Sequence, residues 1–116
     1  MDAPLDWDRF MLLAVGDETI DDLVSFYVDH TTEELAALDD AVRRGDVSAV
    51  ELIAHRMAGT SATAGAKAMV PPLAELEQRA HAGSIAGAAA AAEQARNAFD
   101  QVRRALAART KIGRSL

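Results

Sequence analysis

The apolar side chains of this chain recur at every third or fourth position along most of its length, which is the spacing of one face of an α-helix. Aromatic residues are few beside alanine, since the 116 residues include only three Phe, one Tyr and one Trp. Alanine is the strongest helix former and is depleted in strands, so the composition favours closely packed helices over a sheet. We therefore predict an all-α fold.

Five helices are predicted from this spacing together with helix start and stop signals. Their expected limits are Leu5 to Val15 before Gly16, an N-cap at Asp17 through to Gly45, an N-cap at Asp46 or Ser48 through to about Ala66, Pro71-Pro72 through to Gly83, and an N-cap at Ser84 through to Leu106. The β-branched pair Thr31-Thr32 marks a position where the second helix could bend. Short connections between successive helices predict an antiparallel four-helix bundle with a short extra N-terminal helix.

The same pattern predicts residues 1–109 as a single domain and residues 110–116 as a short basic tail. The sequence has no cysteine, which excludes disulfides, thiolate metal sites and cysteine nucleophiles. Its start lacks the basic and apolar segments of a secretory signal, and no stretch contains the roughly 18 apolar residues of a membrane span. We therefore expect a cytoplasmic protein that does not contact membranes.

Charge is distributed unevenly along the chain. Residues 1–46 hold 13 acidic and 3 basic side chains, whereas residues 47–116 hold 5 acidic and 9 basic ones, for a net charge of −6. This balance argues against nucleic-acid binding. The basic C-terminal end is interpreted as a solvated helix face.

The third helix carries the most informative residue, His55. At about 100° per residue its apolar side chains gather on one side, and His55 lies about 160° around the helix from Met57. The core-facing set is Val50, Ile53, Ala54, Met57, Ser61 and Ala64. His55 is therefore expected to point towards solvent, with Gly59 and Ala62 following it on the same face.

Gly59 is unusual because glycine inside a helix costs about 0.5 to 1 kcal/mol relative to alanine. One turn beyond an exposed imidazole, it would let the backbone of another protein approach the ring closely. Imidazole suits such an encounter, because with an ordinary pKa of about 6.5 it offers a free ring nitrogen as a nucleophile near neutral pH. From the residues alone, a functional histidine and an idle surface histidine both remain open.

The segment Ala54-His55-Arg56-Met57-Ala58-Gly59-Thr60-Ser61-Ala62, followed by Gly65-Ala66, resembles the motif of histidine-containing phosphotransfer (HPt) domains. In that family an accepting histidine is followed by an apolar residue, a lysine, a glycine, small residues and a later Gly-Ala. Leu76-Glu77 with Gly83 resembles the family's segment on the next helix, and Phe26, Leu35, Leu38 and Gly45-Asp46 resemble its long helix and turn.

This resemblance implies a phosphorelay protein that is not itself an enzyme and that accepts a phosphoryl group on His55. Its implied partners are response-regulator receiver domains and a sensor or hybrid histidine kinase, and it is expected to act as a monomer without cofactor or metal. Magnesium and the reacting aspartate would belong to the receiver. Besides His55, the expected partner-binding residues are Glu51, Arg56, Ala58, Gly59, Ala62, Thr63 and Ala66.

One position departs from the family pattern, because Ala58 stands where the family usually has lysine. The ammonium that helps to hold the phosphoryl oxygens is therefore missing from its usual place. Two alternatives stay open: a helical module that binds a receiver or kinase without accepting phosphate, and a helical bundle that serves in oligomerisation. His30 and His81 are interpreted as ordinary surface residues, and no residue three positions before any histidine is a carboxylate, as a helical di-metal site would require.

Overall fold

The computed structural model describes residues 3–14 and 19–110. In these residues the chain forms five α-helices: α1 (Trp7–Met11), α2 (Ile20–Arg44), α3 (Val47–Ala64), α4 (Val70–His81) and α5 (Ala88–Ala107). A short 3-10 helix, Lys67–Met69, connects α3 to α4. The long helices pack in a ring in which α2 and α4 each contact α3 and α5. The predicted four-helix bundle with a short N-terminal helix is confirmed.

The core explains why so much alanine is compatible with a stable bundle. Its largest fully buried side chains on the long helices come from aliphatic residues: Leu38, Val50, Leu73, Leu76, Val102 and Leu106. The inward side of α5 instead begins with a run of small residues: Ala88, Ala91, Ala92, Ala95 and Ala98. Small side chains allow the backbone of α5 to approach its neighbours closely, so apolar contact is gained without large side chains.

The N-terminal segment binds to the C-terminal end of α3. Phe10 of α1 is completely buried and packs edge-on against Tyr27 of α2. The Asp6 N–H donates to the carbonyl of Gly65 at 2.7 Å, and the Ala68 N–H donates to the carbonyl of Pro4 at 3.1 Å. Helix ends leave backbone groups without partners, and here the N-terminal segment supplies some of those partners.

The helix caps decide between the two predicted starts of α3 and change the start of α5. Asp46 caps α3 through its side chain, which accepts from the Ala49 N–H at 3.1 Å, so the alternative at Ser48 is wrong. Thr19 caps α2, whereas Asp17 lies outside the described residues. The predicted cap at Ser84 is also wrong. The last helix begins only after Gly87, whose φ of 77° ends the preceding turn.

Several predicted limits also shift. Helix α3 ends at Ala64 rather than at Ala66, because Gly65 adopts a φ of 76° and the Ala66 N–H turns back to the Ser61 carbonyl at 2.8 Å. Helix α4 runs from Val70 to His81, whereas Gly83 was the predicted end.

Helix α2 continues without a break through Thr31 and Thr32. Helix α1 ends at Met11, and Val15 and Gly16 lie outside the described residues.

The C-terminal end of the described residues packs against the bundle. Thr110 is buried, so the packed part of the chain includes this first residue of the expected tail, and residues 111–116 lie outside the described part. Among the helices that the structure describes, none is both long enough and apolar enough to cross a membrane.

Replacing Gly65 with alanine should destabilise the fold by about 2 to 3 kcal/mol. A left-handed backbone costs an L-residue roughly 1 to 2 kcal/mol, and the new Cβ would lie 2.6 Å from the backbone oxygen of Asp6. Gly45→Ala is the matched control, since its φ is also positive (67°) but a Cβ there meets nothing within 4 Å. Urea denaturation of both variants measures the difference, and equal losses would contradict the proposed close contact with the N-terminal segment.

Candidate functional site

His55 projects from the outer side of α3 into solvent. Its side chain is 71% exposed. On the opposite side of the helix Val50, Ala54, Met57, Ser61 and Ala64 are buried, and Ile53 is half-buried. The helical phase inferred from the sequence is therefore confirmed.

Two crossed histidine–glutamate pairs join α3 to α4. Nδ1 of His55 lies 2.7 Å from Oε2 of Glu77, and Nδ1 of His81 lies 2.7 Å from Oε1 of Glu51. Each helix carries a glutamate four residues before a histidine, and α3 and α4 run in opposite directions. Each glutamate therefore meets the histidine of the other helix.

The pair with Glu77 fixes the tautomer of His55. A carboxylate can only accept hydrogen bonds, so the proton of the neutral imidazole must lie on Nδ1. Nε2 then keeps its lone pair, and in the described residues it has no hydrogen-bond partner. The ring is thus held by one nitrogen and offers the other to solvent or to a partner.

The second pair changes the acidity of His81. Glu51 raises the pKa of His81 above its ordinary value, first by the hydrogen bond and second by charge attraction, with a smaller contribution from Glu77. A raised pKa keeps the proton on the ring to higher pH, which removes the lone pair that a nucleophile needs.

An open depression of about 340 Å³ surrounds His55. Its walls are formed by Ser48, Glu51, Leu52 and Glu77. Leu52 is 57% exposed and lies beside the His55–Glu77 pair. The free nitrogen of His55 is thus accessible, and the apolar surface next to it is available for contact.

The predicted partner-binding residues do not all lie on this surface. Gly59, Ala62 and Thr63 are exposed along the outer side of α3, and Ala58 and Glu51 are half-buried. Ala66 is completely buried, so its predicted role in partner contact is wrong. The reason is the early end of α3. The turn at Gly65 directs the chain away from the helix axis, so Ala66 does not lie on the exposed face of α3.

Gly59 leaves open space. A Cβ built at this residue meets nothing within 4 Å, so no neighbour in the described residues requires glycine here. Arg56, which follows His55, is exposed and lies 4.0 Å from Glu34 of α2. In the described part of the chain, no lysine or arginine lines the depression around His55. The ammonium group that the family pattern places three residues after the histidine therefore has no replacement there.

The sequence of α2 to α5 matches a known family model. Residues 22–105 match the model of the Hpt domain, which covers well over half of the chain. The chain belongs to the Hpt domain family. Comparison with curated proteins and with solved structures gave no match. Hpt domains are phosphotransfer modules of two-component signalling that interact with receiver domains and kinases, and they lack kinase activity.

Two features of this Hpt domain were not identified as site residues from the sequence. Glu77 was noted only as part of a leucine–glutamate segment, yet it holds the imidazole of His55. Leu52 and the 72% exposed Phe26 add apolar surface on α3 and α2. The repeated spacing of Glu51 to His55 and of Glu77 to His81 was the available signal for the crossed pairs.

The other histidine of this Hpt domain, His30, makes local contacts within α2. It lies 3.3 Å from Glu34 and stacks on Phe26 with ring centroids 6.0 Å apart. In the described residues no group of three or more histidine or acidic side chains is arranged to hold a metal ion.

Proposed function

We propose that this Hpt domain relays a phosphoryl group between receiver-domain aspartates through phospho-His55. It would work as a cytoplasmic monomer, receive its phosphoryl groups through a sensor or hybrid kinase, and bind no nucleotide of its own. The observation that carries the proposal is the His55 ring, which is exposed, held at Nδ1 by Glu77 and free at Nε2.

The transfer step uses this arrangement directly. The Nε2 lone pair attacks the phosphorus of an aspartyl phosphate, the Nε2–P bond forms, and the P–O bond to the aspartate breaks to release its carboxylate. The ring keeps its Nδ1 proton and becomes positively charged. Glu77 lies 2.7 Å from that proton and stabilises the charge as it develops. Transfer to a second aspartate is the reverse reaction.

Partner access is supported by the small residues that follow His55. Gly59 and Ala62 lie one and two turns beyond the imidazole on the exposed side of α3. Leu52 and, on α2, Phe26 add exposed apolar surface to the bundle. We propose that a receiver docks over His55 on Arg56, Ala58, Gly59, Ala62 and Thr63, and that magnesium and the reacting aspartate come with the receiver.

Gly59→Ala should stabilise the protein and slow transfer. Alanine has the higher helix propensity and meets no neighbour, so the free energy of unfolding should rise by about 0.5 to 1 kcal/mol. The added methyl group occupies the approach path, so kcat/KM for transfer should fall about threefold, and Gly59→Leu should lower it by more than about tenfold.

Urea denaturation and single-turnover transfer measure the two effects of the Gly59 variants. Ala90→Leu, at an exposed position of α5, adds comparable bulk on a helix that is not a main packing partner of α3. If Gly59→Leu transferred as fast as this control, Gly59 would have no role in docking.

The proposed function is tested by incubating the protein with phosphate-labelled receiver domains. Transfer should give a label that is lost in acid and stable in alkali, as expected of a phosphohistidine, and its recovery on the peptide containing His55 would support the relay. Binding of a receiver without any label would overturn it.

That last outcome would favour the second candidate function, a module that binds receivers without accepting phosphate. The specific observation in its favour is Ala58, which leaves the site without the family's lysine. An obligate oligomer that buries His55, detected by light scattering, would contradict both functions.

A further inference from the structure

Within residues 3–14 and 19–110, Arg9 and Lys67 are exposed cations without a carboxylate partner. In the described residues the other arginines lie within 4.0 Å of an acidic side chain, except Arg109, which lies over the ring of Trp7. Lys67 and Arg9 make no such pair. Two unpaired cations in a chain of net charge −6 therefore need an explanation.

These two cations line the same depression. It measures about 350 Å³ and is bordered by Arg9, Ala62, Gly65, Lys67 and Pro71, among others. Nε of Arg9 donates to the carbonyl of Ala62 at 3.2 Å, which fixes the guanidinium against α3 and leaves its terminal nitrogens free. Asp6 also lies in the depression, where its carboxylate accepts from the Arg9 N–H at 3.1 Å, so two cations face one carboxylate.

The depression lies on the His55 side of α3. Ala62 follows His55 by seven residues, which is nearly two full turns and about 10 Å along the helix. A standard protein interface covers about 800 Å² on each partner, or a disc of about 16 Å radius, so a protein centred on His55 also covers this depression. Neither Arg9 nor Lys67 lines the depression that contains His55, so their position suits a contact with the docked partner.

The exposed side of α3, from the depression around His55 to the depression around Arg9 and Lys67, carries charges of opposite sign at its two ends. Glu51 and Glu77 lie at the His55 end, and Arg9 and Lys67 lie at the other end. Such a distribution is complementary to one orientation of a partner and repels the reversed one. We propose that the depression between Arg9 and Lys67 binds a carboxylate-bearing segment of the receiver that docks on His55, and so sets the receiver's orientation. This inference rests on the proposed function.

The test uses the receiver domain to which transfer is fastest in a survey of labelled receivers. Lys67→Gln should lower kcat/KM about threefold at low ionic strength, and Arg9→Gln combined with Lys67→Gln about tenfold, with a weaker dependence on salt and an unchanged rate at saturating receiver. Arg103→Gln combined with Arg104→Gln is the matched control. It removes the same charge from α5, where both arginines pair with Asp100, and should change kcat/KM less than twofold.

The outcomes separate the inference from the proposed function. Transfer that falls equally in the site variants and in the control would overturn the inference alone, because only the net charge would matter. A lack of transfer to any receiver would overturn both. Arg9→Gln removes the hydrogen bond to Ala62 and can loosen α1, whereas Lys67→Gln removes no hydrogen bond of the described structure. An unchanged kcat/KM in Lys67→Gln therefore counts against the inference. Self-association that is lost in Lys67→Gln would also overturn it, because a second copy of the chain would then be the occupant.

Discussion

His55→Gln should lose at least about a thousandfold in the rate of labelling by a phosphorylated receiver. Glutamine has a similar size and an amide group, but it has no nitrogen lone pair that can attack phosphorus. His55 is exposed, so the substitution should leave the fold unchanged. Rapid-quench measurement of the transferred label, together with the circular dichroism spectrum, checks both parts of this expectation.

His81→Gln is the matched control for this substitution. His81 is also exposed, its Nδ1 is also 2.7 Å from a glutamate, and it lies on the neighbouring helix. The residues that resemble the family motif surround His55 and not His81, so the variant should be labelled at close to the rate of the unsubstituted protein. If label persisted in His55→Gln and disappeared in His81→Gln, the acceptor would be His81 and the proposed assignment would be wrong.

Glu77→Ala should slow transfer by about 10- to 100-fold when the receiver is saturating. Without the carboxylate, the Nδ1 tautomer is no longer favoured and the positive charge on the phosphorylated ring loses its partner. Glu77 is partly exposed, so water replaces some of this stabilisation and the effect is smaller than at a buried catalytic carboxylate. Single-turnover rates at saturating receiver isolate the chemical step from docking.

Glu77→Gln separates the two causes of the slower transfer, which are the loss of the tautomer preference and the loss of the negative charge. Glutamine can still accept from Nδ1 through its amide oxygen, so it keeps the tautomer and loses only the charge, and its rate should fall between those of Glu77→Ala and the unsubstituted protein. Glu51→Ala removes the corresponding carboxylate from His81 and is the control for a general loss of negative charge. Equal rates in Glu77→Ala and Glu51→Ala would show that Glu77 acts only through the overall electrostatic field.

The sequence predicted the fold because helical periodicity is a local property. The spacing of Val50, Ala54 and Met57 was enough to place His55 on the outer side of α3, and glycine and acidic residues marked most helix ends. Glycine at 65 and 87 was harder to interpret. Its positive φ ended α3 two residues early and moved the start of α5 past Ser84. At both positions the glycine lies against another part of the chain, since a Cβ at Gly65 would meet Asp6 and a Cβ at Gly87 would meet Arg79.

The candidate site could be predicted only in part, because some of its contacts join residues that are distant in the sequence. His55 and Gly59 lie on one helix, so their relation follows from helical geometry. Glu77 lies 22 residues away, and its contact with His55 depends on the register in which α3 and α4 pack. The burial of Ala66 and the convergence of Arg9 with Lys67 likewise depend on how the N-terminal segment crosses the end of α3.

The packing of the N-terminal segment against the end of α3 determines where the chain can be truncated. The family match begins at residue 22, yet Phe10 is completely buried, and Asp6 and Pro4 exchange backbone hydrogen bonds with the chain beyond α3. A fragment cut at the family boundary would leave the space of Phe10 empty and would remove the hydrogen bonds that Asp6 and Pro4 make to Gly65 and Ala68. The smallest cooperative folding unit is therefore larger than the stretch that defines the family.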